Sequence, residues 1–410
     1  VTTDRRKAAV AFVFVTLILD VLSFGLIIPV LPNLVKEFAG GDTSLASYYS
    51  GVFGFAWAFM QFFASPILGN LADRFGRRPV LLISLFGMGM DFILMALAPS
   101  LWWLFVGRMI SGITAGSMST AQAYIADVTP PEKRASTYGL VGAAFGLGFI
   151  FGPVVGGFLG EIDIRLPFWV AAGMALLNFT YGLFVLPESL PPEKRTPFRI
   201  VNANPLGSLS LLRSDFVVFR LGLVHFLGNL GHFVLNSTFV LYAGYRYGWG
   251  EKMIGITLGL VGIFTALVQG VLVKHVVARI GAARALMIGA FVGSVGMLLY
   301  GLASTGPLFW IVMPIMAFWG LTGPSLQQLT TSRIAATDQG KLQGALSALV
   351  GIAGMIGPVL FTSAFGWAID PKSSIHIPGL AFYIASAIVF LSCLSAVSIW
   401  NNLRPREVSV

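Results

Sequence analysis

Twelve stretches of this chain are too apolar for water and long enough to cross a bilayer. They lie near 8–30, 47–70, 79–99, 101–124, 136–160, 166–186, 216–243, 253–274, 284–304, 307–330, 341–368 and 378–401, and are numbered here as spans 1 to 12. A hydrocarbon core takes about 20 consecutive apolar residues in helical form. Runs such as VAFVFVTLIL (10–19) do not alternate, as the strands of an outer-membrane barrel would. Only 10% of the residues are charged, where a soluble domain carries roughly 25%. The 48 glycines and 21 prolines would punctuate soluble helices heavily, but membrane helices tolerate both. The expected fold class is therefore an all-α membrane protein of twelve transmembrane helices.

The net charge of +9 raises the question of nucleic acid, and the placement of the charge answers it. With the N-terminus inside, the cytoplasmic side receives Arg5, Arg6, Lys7, Arg74, Arg77, Arg78, Lys133, Arg134, Lys194, Arg195, Arg199, Arg213, Arg220, Lys274, Arg279, Arg284, Arg333, Lys341, Arg404 and Arg406. The outside keeps Lys36, Arg165, Arg246, Lys252 and Lys372, and Arg108 lies within a span. This is the positive-inside pattern, with both termini cytoplasmic and lipid rather than nucleic acid as the large partner. Span 1 follows the basic patch and is too long for a signal-peptide core, so it reads as a retained helix. The single cysteine, Cys393, permits no internal disulfide.

The chain repeats itself at an offset of 205 residues, half its length. Gly152-Pro153 recurs as Gly357-Pro358, Gly139 as Gly344, and ADRFGRRPVLLI (from Ala72) as VARIGAARALMI (from Val277). Two six-helix bundles are expected, over 1–186 and 216–410, joined by a polar cytoplasmic linker over 187–215. Parallel repeats of this kind suggest a transporter with its site between the halves. The second copy keeps Arg279 and Gly281 but has lost the aspartate and two arginines of the first, which makes the first copy the specialised one.

The motif G-x-L-A-D-R-F-G-R-R-P at 69–79 resembles the loop 2–3 signature of the major facilitator superfamily. G-x-x-x-G-P-x-x-G-G at 148–157 is similar to the helix 5 motif of its proton-driven antiporters. LILDVLSFGLIIPVLP, AYIADVTPPEKRA and QGKLQGALSAL fit as well, and together they resemble the tetracycline/proton antiporters over nearly the whole chain. The resemblance implies two pseudo-symmetric bundles in the bacterial inner membrane, no enzymatic activity and no cofactor. It further implies proton-driven export of a small molecule by a monomer.

Asp20, in mid-span 1, is expensive to place in hydrocarbon, about 2.5–3.5 kcal/mol on insertion scales when charged. A carboxylate able to exist neutral or charged suits proton coupling; the plainer reading is a fixed ion pair, for instance with Arg108. Asp91 in span 3 poses the same choice against a wet vestibule. The resembling antiporters have acids at both places. Arg108 in span 4 must find an acceptor, a cavity or a surface to snorkel to, and the resemblance ties it to proton coupling.

Gly69, Asp73, Arg74, Gly76, Arg77 and Arg78 form the loop between spans 2 and 3. It is at least a topology anchor. The resemblance implies a state-dependent cytoplasmic gate, with Asp73 facing the N-terminus of span 11 and the arginines pairing with Asp127 or lipid phosphate. In span 5, Gly148, Gly152, Gly156 and Gly160 share one face, with Pro153 and Gly157 beside it. Close packing explains the stripe, and in the resembling family this face meets span 8 and limits leak.

In span 7, His225, Asn229, His232 and Asn236 make one polar stripe at helical spacing. At the repeat offset, His225 falls where Asp20 stands. Substrate or proton contact, plain packing, and a metal site lacking a third ligand are the alternatives, and no metal is assigned. Trp57, Gln61, Gln122, Thr265 and Gln269 are candidates for a cavity wall, and equally for ordinary packing. Two departures separate this chain from the tetracycline antiporters. Gly293 stands where they have an acid in span 9, and Thr265 stands near a histidine of their span 8.

The expected function is proton-driven efflux of small amphipathic compounds, with tetracycline-like drugs as the candidate class. A proton-coupled uptake symporter or a uniporter on the same fold is the nearest alternative. A non-transporting receptor and an intramembrane enzyme stand further off, since no H-E-x-x-H, G-x-S-x-G or nucleotide-binding G-x-x-x-x-G-K loop occurs.

Overall fold

A computed structural model describes residues 3–116, 118–130, 134–198 and 204–403. Lys133, Arg199, Arg404 and Arg406 of the charge pattern lie outside them, as does part of the expected linker. Among the described residues there is no strand. The α-helices are α1 (Thr3–Ile27), α2 (Leu31–Phe38), α3 (Thr43–Phe75), α4 (Arg77–Leu97), α5 (Leu101–Ala115), α6 (Met118–Val128), α7 (Arg134–Ile162), α8 (Leu166–Val185), α9 (Phe216–Tyr247), α10 (Glu251–Leu267), α11 (Val273–Ile280), α12 (Ala282–Leu302), α13 (Gly306–Ala317), α14 (Thr322–Thr331), α15 (Gln339–Ile369), α16 (Leu380–Ser398) and α17 (Trp400–Leu403).

Eleven spans among the described residues are long and apolar enough to cross a membrane. The twelfth, expected at 101–124, arrives as α5 and α6, neither of which is long enough alone. α5 ends at Gly116, where backbone packs against backbone: a Cβ there would lie 3.0 Å from the amide nitrogen of Ser65. Two other spans are continuous but irregular. Span 8 runs from α10 through a π-helical turn at Val268–Leu272 into α11. Span 10 passes from α13 through a 3₁₀ turn at Phe318–Leu321 into α14. Pro314 precedes that turn and withholds one helical hydrogen bond.

Packing divides the chain into two compact units. The first holds 1–42, 56–204 and 249–262; the second holds 43–55, 205–248 and 263–410. In the first, α8 packs against both α1 and α4, and α4 against α5. Leu17, Tyr124, Ile125, Ala144 and Leu186 form a core there. In the second, α9 packs on α15 and α16, and α12 on α16. Val217, Leu221, Val224, Leu286, Leu326, Ala396 and Ile399 form a core there.

Candidate functional site

Asp20 and Asp91 are carried by α1 and α4, and α8 packs against both. Asp20 is half-buried. Its Oδ1 accepts a hydrogen bond of 3.0 Å from Asn178 Nδ2, which also donates to the Thr16 carbonyl at 3.2 Å. Asn178 is fully buried in α8, and its own Oδ1 has no partner among the described residues. Sequence reasoning passed over this residue; a lone amide in the apolar run MALLNFTYG was the available signal.

Asp91 is 1% exposed, and the Ser111 hydroxyl and the Arg108 charge, both on α5, are near enough to act on its carboxylate. The backbone of Gly107 comes so close that a Cβ there would sit 3.0 Å from Asp91 Oδ1. Arg108 follows in the same helix and is near enough for its charge to act on Asp91. At 7% exposure it does not snorkel to a surface. Its guanidinium lies 5.6 Å from the ring centre of Trp57, and Trp57 in turn faces Phe24 of α1 at 5.8 Å. Buried charge held by one aromatic face and one nearby carboxylate is costly unless the pair acts together. Gln61, one turn beyond Trp57 on α3, is half-buried, and Gln122 on α6 is exposed.

The loop between spans 2 and 3 is a knot of charge within the first unit. Gly76 has φ +106°, a conformation essentially reserved for glycine, and a Cβ there would collide with the carboxylate of Glu188. Glu188 caps α4: its oxygens accept from the backbone N–H of Arg77 at 2.8 Å and of Arg78 at 3.3 Å. Arg77 bridges Asp73 at 2.6 Å and Asp127 at 3.3 Å. Arg78 donates to the Leu183 carbonyl at 2.7 Å. Ser189 adds a bond to Asp127 at 3.1 Å, and Thr196 N–H one to the Asp73 carbonyl. The pairing of Arg77 with Asp127 follows the sequence expectation. Glu188 was missed, because a carboxylate in PESLPPEK reads as linker composition. Gly69 and Arg74 stand apart from the knot; Arg74 is exposed and covers Phe75.

The glycine stripe of α7 departs from its expected partner. Gly148, Gly152 and Gly156 face α1: a Cβ on Gly152 would lie 2.7 Å from the Cα of Gly25, and one on Gly148 would strike Val21. Span 8 instead meets the neighbouring face. A Cβ on Gly157 would lie 2.5 Å from the Glu251 carbonyl, and the Pro153 carbonyl abuts Gly255. Residues 153 and 157 sit one position beyond 152 and 156, about 100° round the helix, so two adjacent faces serve two partners. Gly160, at the end of the stripe, touches both Val30 and Glu251.

In the second unit, His225 is half-buried, its Nε2 has no hydrogen-bond partner among the described residues, and Asn229 donates to the His225 carbonyl at 2.8 Å. His232 and Asn236 are exposed. The rings of His232 and Trp319 lie 5.3 Å apart, tilted by 49°. Thr265 lies in α10, one turn before Gln269 in the π-helical turn. Among the described residues no three His, Cys, Asp or Glu side chains gather as metal ligands.

The family model of the Major Facilitator Superfamily matches residues 13–358. The chain belongs to this superfamily. It is 38% identical over 393 residues to the tetracycline resistance protein, class C, of Escherichia coli, covering 96% of this chain and 97% of the relative. The class B protein of Escherichia coli is 34% identical over 367 residues, with 89% and 91% covered. Among solved structures, the human organic anion transporter MFSD10 (TETRAN) superposes with a TM-score of 0.70 at 25% identity, over 95% of this chain and 99% of that one. The nucleoside transporter NupG gives 0.77 at 13% identity over the same shares, a likeness of fold.

As a member of the Major Facilitator Superfamily the chain is a membrane transporter, not an enzyme. The superfamily's loop signature is therefore the charge knot around Gly76, and the helix 5 motif is the two-faced helix α7. Asp20 and Asp91 belong to the same unit as both.

Proposed function

We propose that this transporter exports small amphipathic compounds, tetracycline-like drugs among them, in exchange for protons. The observation that carries this reading is the pair Asp20 and Asp91. Both are carboxylates within membrane spans, and both are borne by helices that pack on α8. A carrier that moves protons needs such groups, and a static scaffold is penalised for them. The substrate class comes from the relatives named for tetracycline resistance, which are similar over nearly the full chain.

In this reading Asp20 and Asp91 exchange protons and Arg108 tunes them. The knot of Asp73, Gly76, Arg77 and Arg78, with Gly69 and Arg74 beside it, gates the cytoplasmic side. Gly148, Gly152, Pro153, Gly156 and Gly157 limit leak. Trp57, Gln61, Gln122, His225, Asn229, His232, Asn236, Thr265 and Gln269 line the substrate path. The sequence halves 1–186 and 216–410 act as bundles around the linker 187–215, in a monomer with both termini cytoplasmic in the inner membrane. A membrane potential supplies about 2.3 kcal/mol per charge per 100 mV. One proton then sustains a substrate gradient of roughly fifty-fold at that voltage.

The test is tetracycline accumulation in sealed vesicles carrying the purified protein, with a proton gradient imposed and then collapsed by an ionophore. Accumulation that follows the gradient supports exchange. Accumulation indifferent to the ionophore would overturn proton drive, and none with any gradient would overturn tetracycline as a substrate.

A further inference from the structure

Two irregular turns pack against each other in the second unit, and the second of them carries an indole, Trp319, that no sequence motif singles out. The π-helical turn Val268–Leu272 touches the 3₁₀ turn Phe318–Leu321. Val268, Val273, Ala317 and Leu321 lock them together. Irregular backbone at membrane depth is tolerated only where protein buries it or where it lines a cavity, and π turns recur at functional sites. Gln269 projects from the first turn, and its Cγ would lie 3.2 Å from a Cβ on Gly320. Trp319 projects from the second.

Trp319 is placed by Gly293. A Cβ on that glycine would lie 2.6 Å from the Cγ and Cδ1 of the indole, so the ring fills the space any side chain would need. His232 approaches from α9 at 5.3 Å, tilted by 49°, which leaves a corner rather than a stack. Trp319 is half-buried, while His232 and Gln269 are exposed. Their polar groups form no hydrogen bond among the described residues. The corner thus offers two π faces, an indole N–H, an imidazole and an amide.

We propose that Trp319, positioned by Gly293 and flanked by His232 and Gln269, is a binding subsite for a flat fused-ring compound with a hydrogen-bonding edge. The proposal rests on the efflux reading and assigns one wall of its substrate path. The ring system lies on the indole, and its polar edge meets His232 and Gln269. Glycine at position 293 serves the wall by admitting Trp319.

Equilibrium binding of tetracycline to the purified full chain, read by tetracycline fluorescence anisotropy, tests it. Trp319→Leu should weaken binding about tenfold, the scale of one aromatic contact, and Trp319→Phe should restore it to within about threefold of wild type. Gly293→Ala should weaken it too, with the indole displaced but still present. That variant carries the test if Trp319→Leu does not fold. Wild-type affinity in both Trp319→Leu and Gly293→Ala would overturn the subsite and leave the efflux reading standing. Failure of the wild type itself to bind tetracycline would overturn tetracycline as a substrate, and the subsite with it.

Discussion

The turns at Gly76 and Gly281 are two copies of one backbone with different chemistry built on them. Their dihedrals are nearly the same, φ +106° and ψ 159° at Gly76, φ +81° and ψ 155° at Gly281. Each turns the chain between two spans and starts a helix, α4 or α12. At Gly76 the space above the turn is filled by Glu188, and Arg77 ties Asp73 to Asp127. At Gly281 a Cβ would meet nothing within 4 Å, and alanines occupy the places of Asp73, Arg77 and Arg78. The shared geometry is what a sharp turn at a membrane surface requires. The second copy makes the same turn without the charge, so the charge is the part that our proposed gate uses.

The largest expected difference between the copies comes from Gly76→Ala and Gly281→Ala. Both place alanine in a glycine-only region, at a cost of about 1–3 kcal/mol. Only Gly76→Ala also drives a methyl group into the Glu188 carboxylate. Thermal unfolding midpoints and tetracycline flux in vesicles should show Gly76→Ala inactive or nearly so, and Gly281→Ala folded and active with a lowered midpoint. Equal damage at both would break the comparison.

Glu188→Gln comes next. It keeps the shape of the cap and removes the charge that receives two amide N–H groups at the start of α4, a loss of about 1 kcal/mol. The midpoint should fall by a few degrees and transport should slow. No change in either would remove Glu188 from the gate.

The coupling between Arg77 and Asp127 should be smaller. A double-mutant cycle with Arg77→Ala and Asp127→Ala should give about 0.2–1 kcal/mol, because Asp127 is partly exposed. A gate that must open and close needs a bond of that modest strength, and a coupling several times larger would argue for a static brace. Smallest in its effect on flux, Arg284→Ala in the second copy removes only an arginine lying 5.8 Å over the Trp400 ring. It should cost about 0.5–1 kcal/mol in stability and leave flux unchanged.

Much of this was legible in the sequence. Length and hydropathy gave the spans, and the glycine in DRFG gave its turn. The pairing of Arg77 with Asp127 was also readable, since both belong to recognisable charged motifs. What escaped was contact between residues far apart in the chain. Asn178 meets Asp20 across 158 positions and Glu188 meets Arg77 across 111, and no periodicity encodes either. The face of α7 that meets α1 escaped for a related reason: a stripe reveals that a helix approaches closely but not which one. The irregular turns in spans 8 and 10 and the break at Gly116 lie inside apolar runs where hydropathy varies little.

The most direct measurement is tetracycline-triggered proton movement across weakly buffered vesicles, wild type beside Asp20→Asn. If Asp20 carries the coupled proton, the wild type moves protons when tetracycline is added, and Asp20→Asn binds the drug without moving them. Undiminished proton movement in Asp20→Asn would contradict that role and transfer the coupling to Asp91 or the span 7 histidines. No proton movement in a wild type that binds the drug would contradict proton exchange itself.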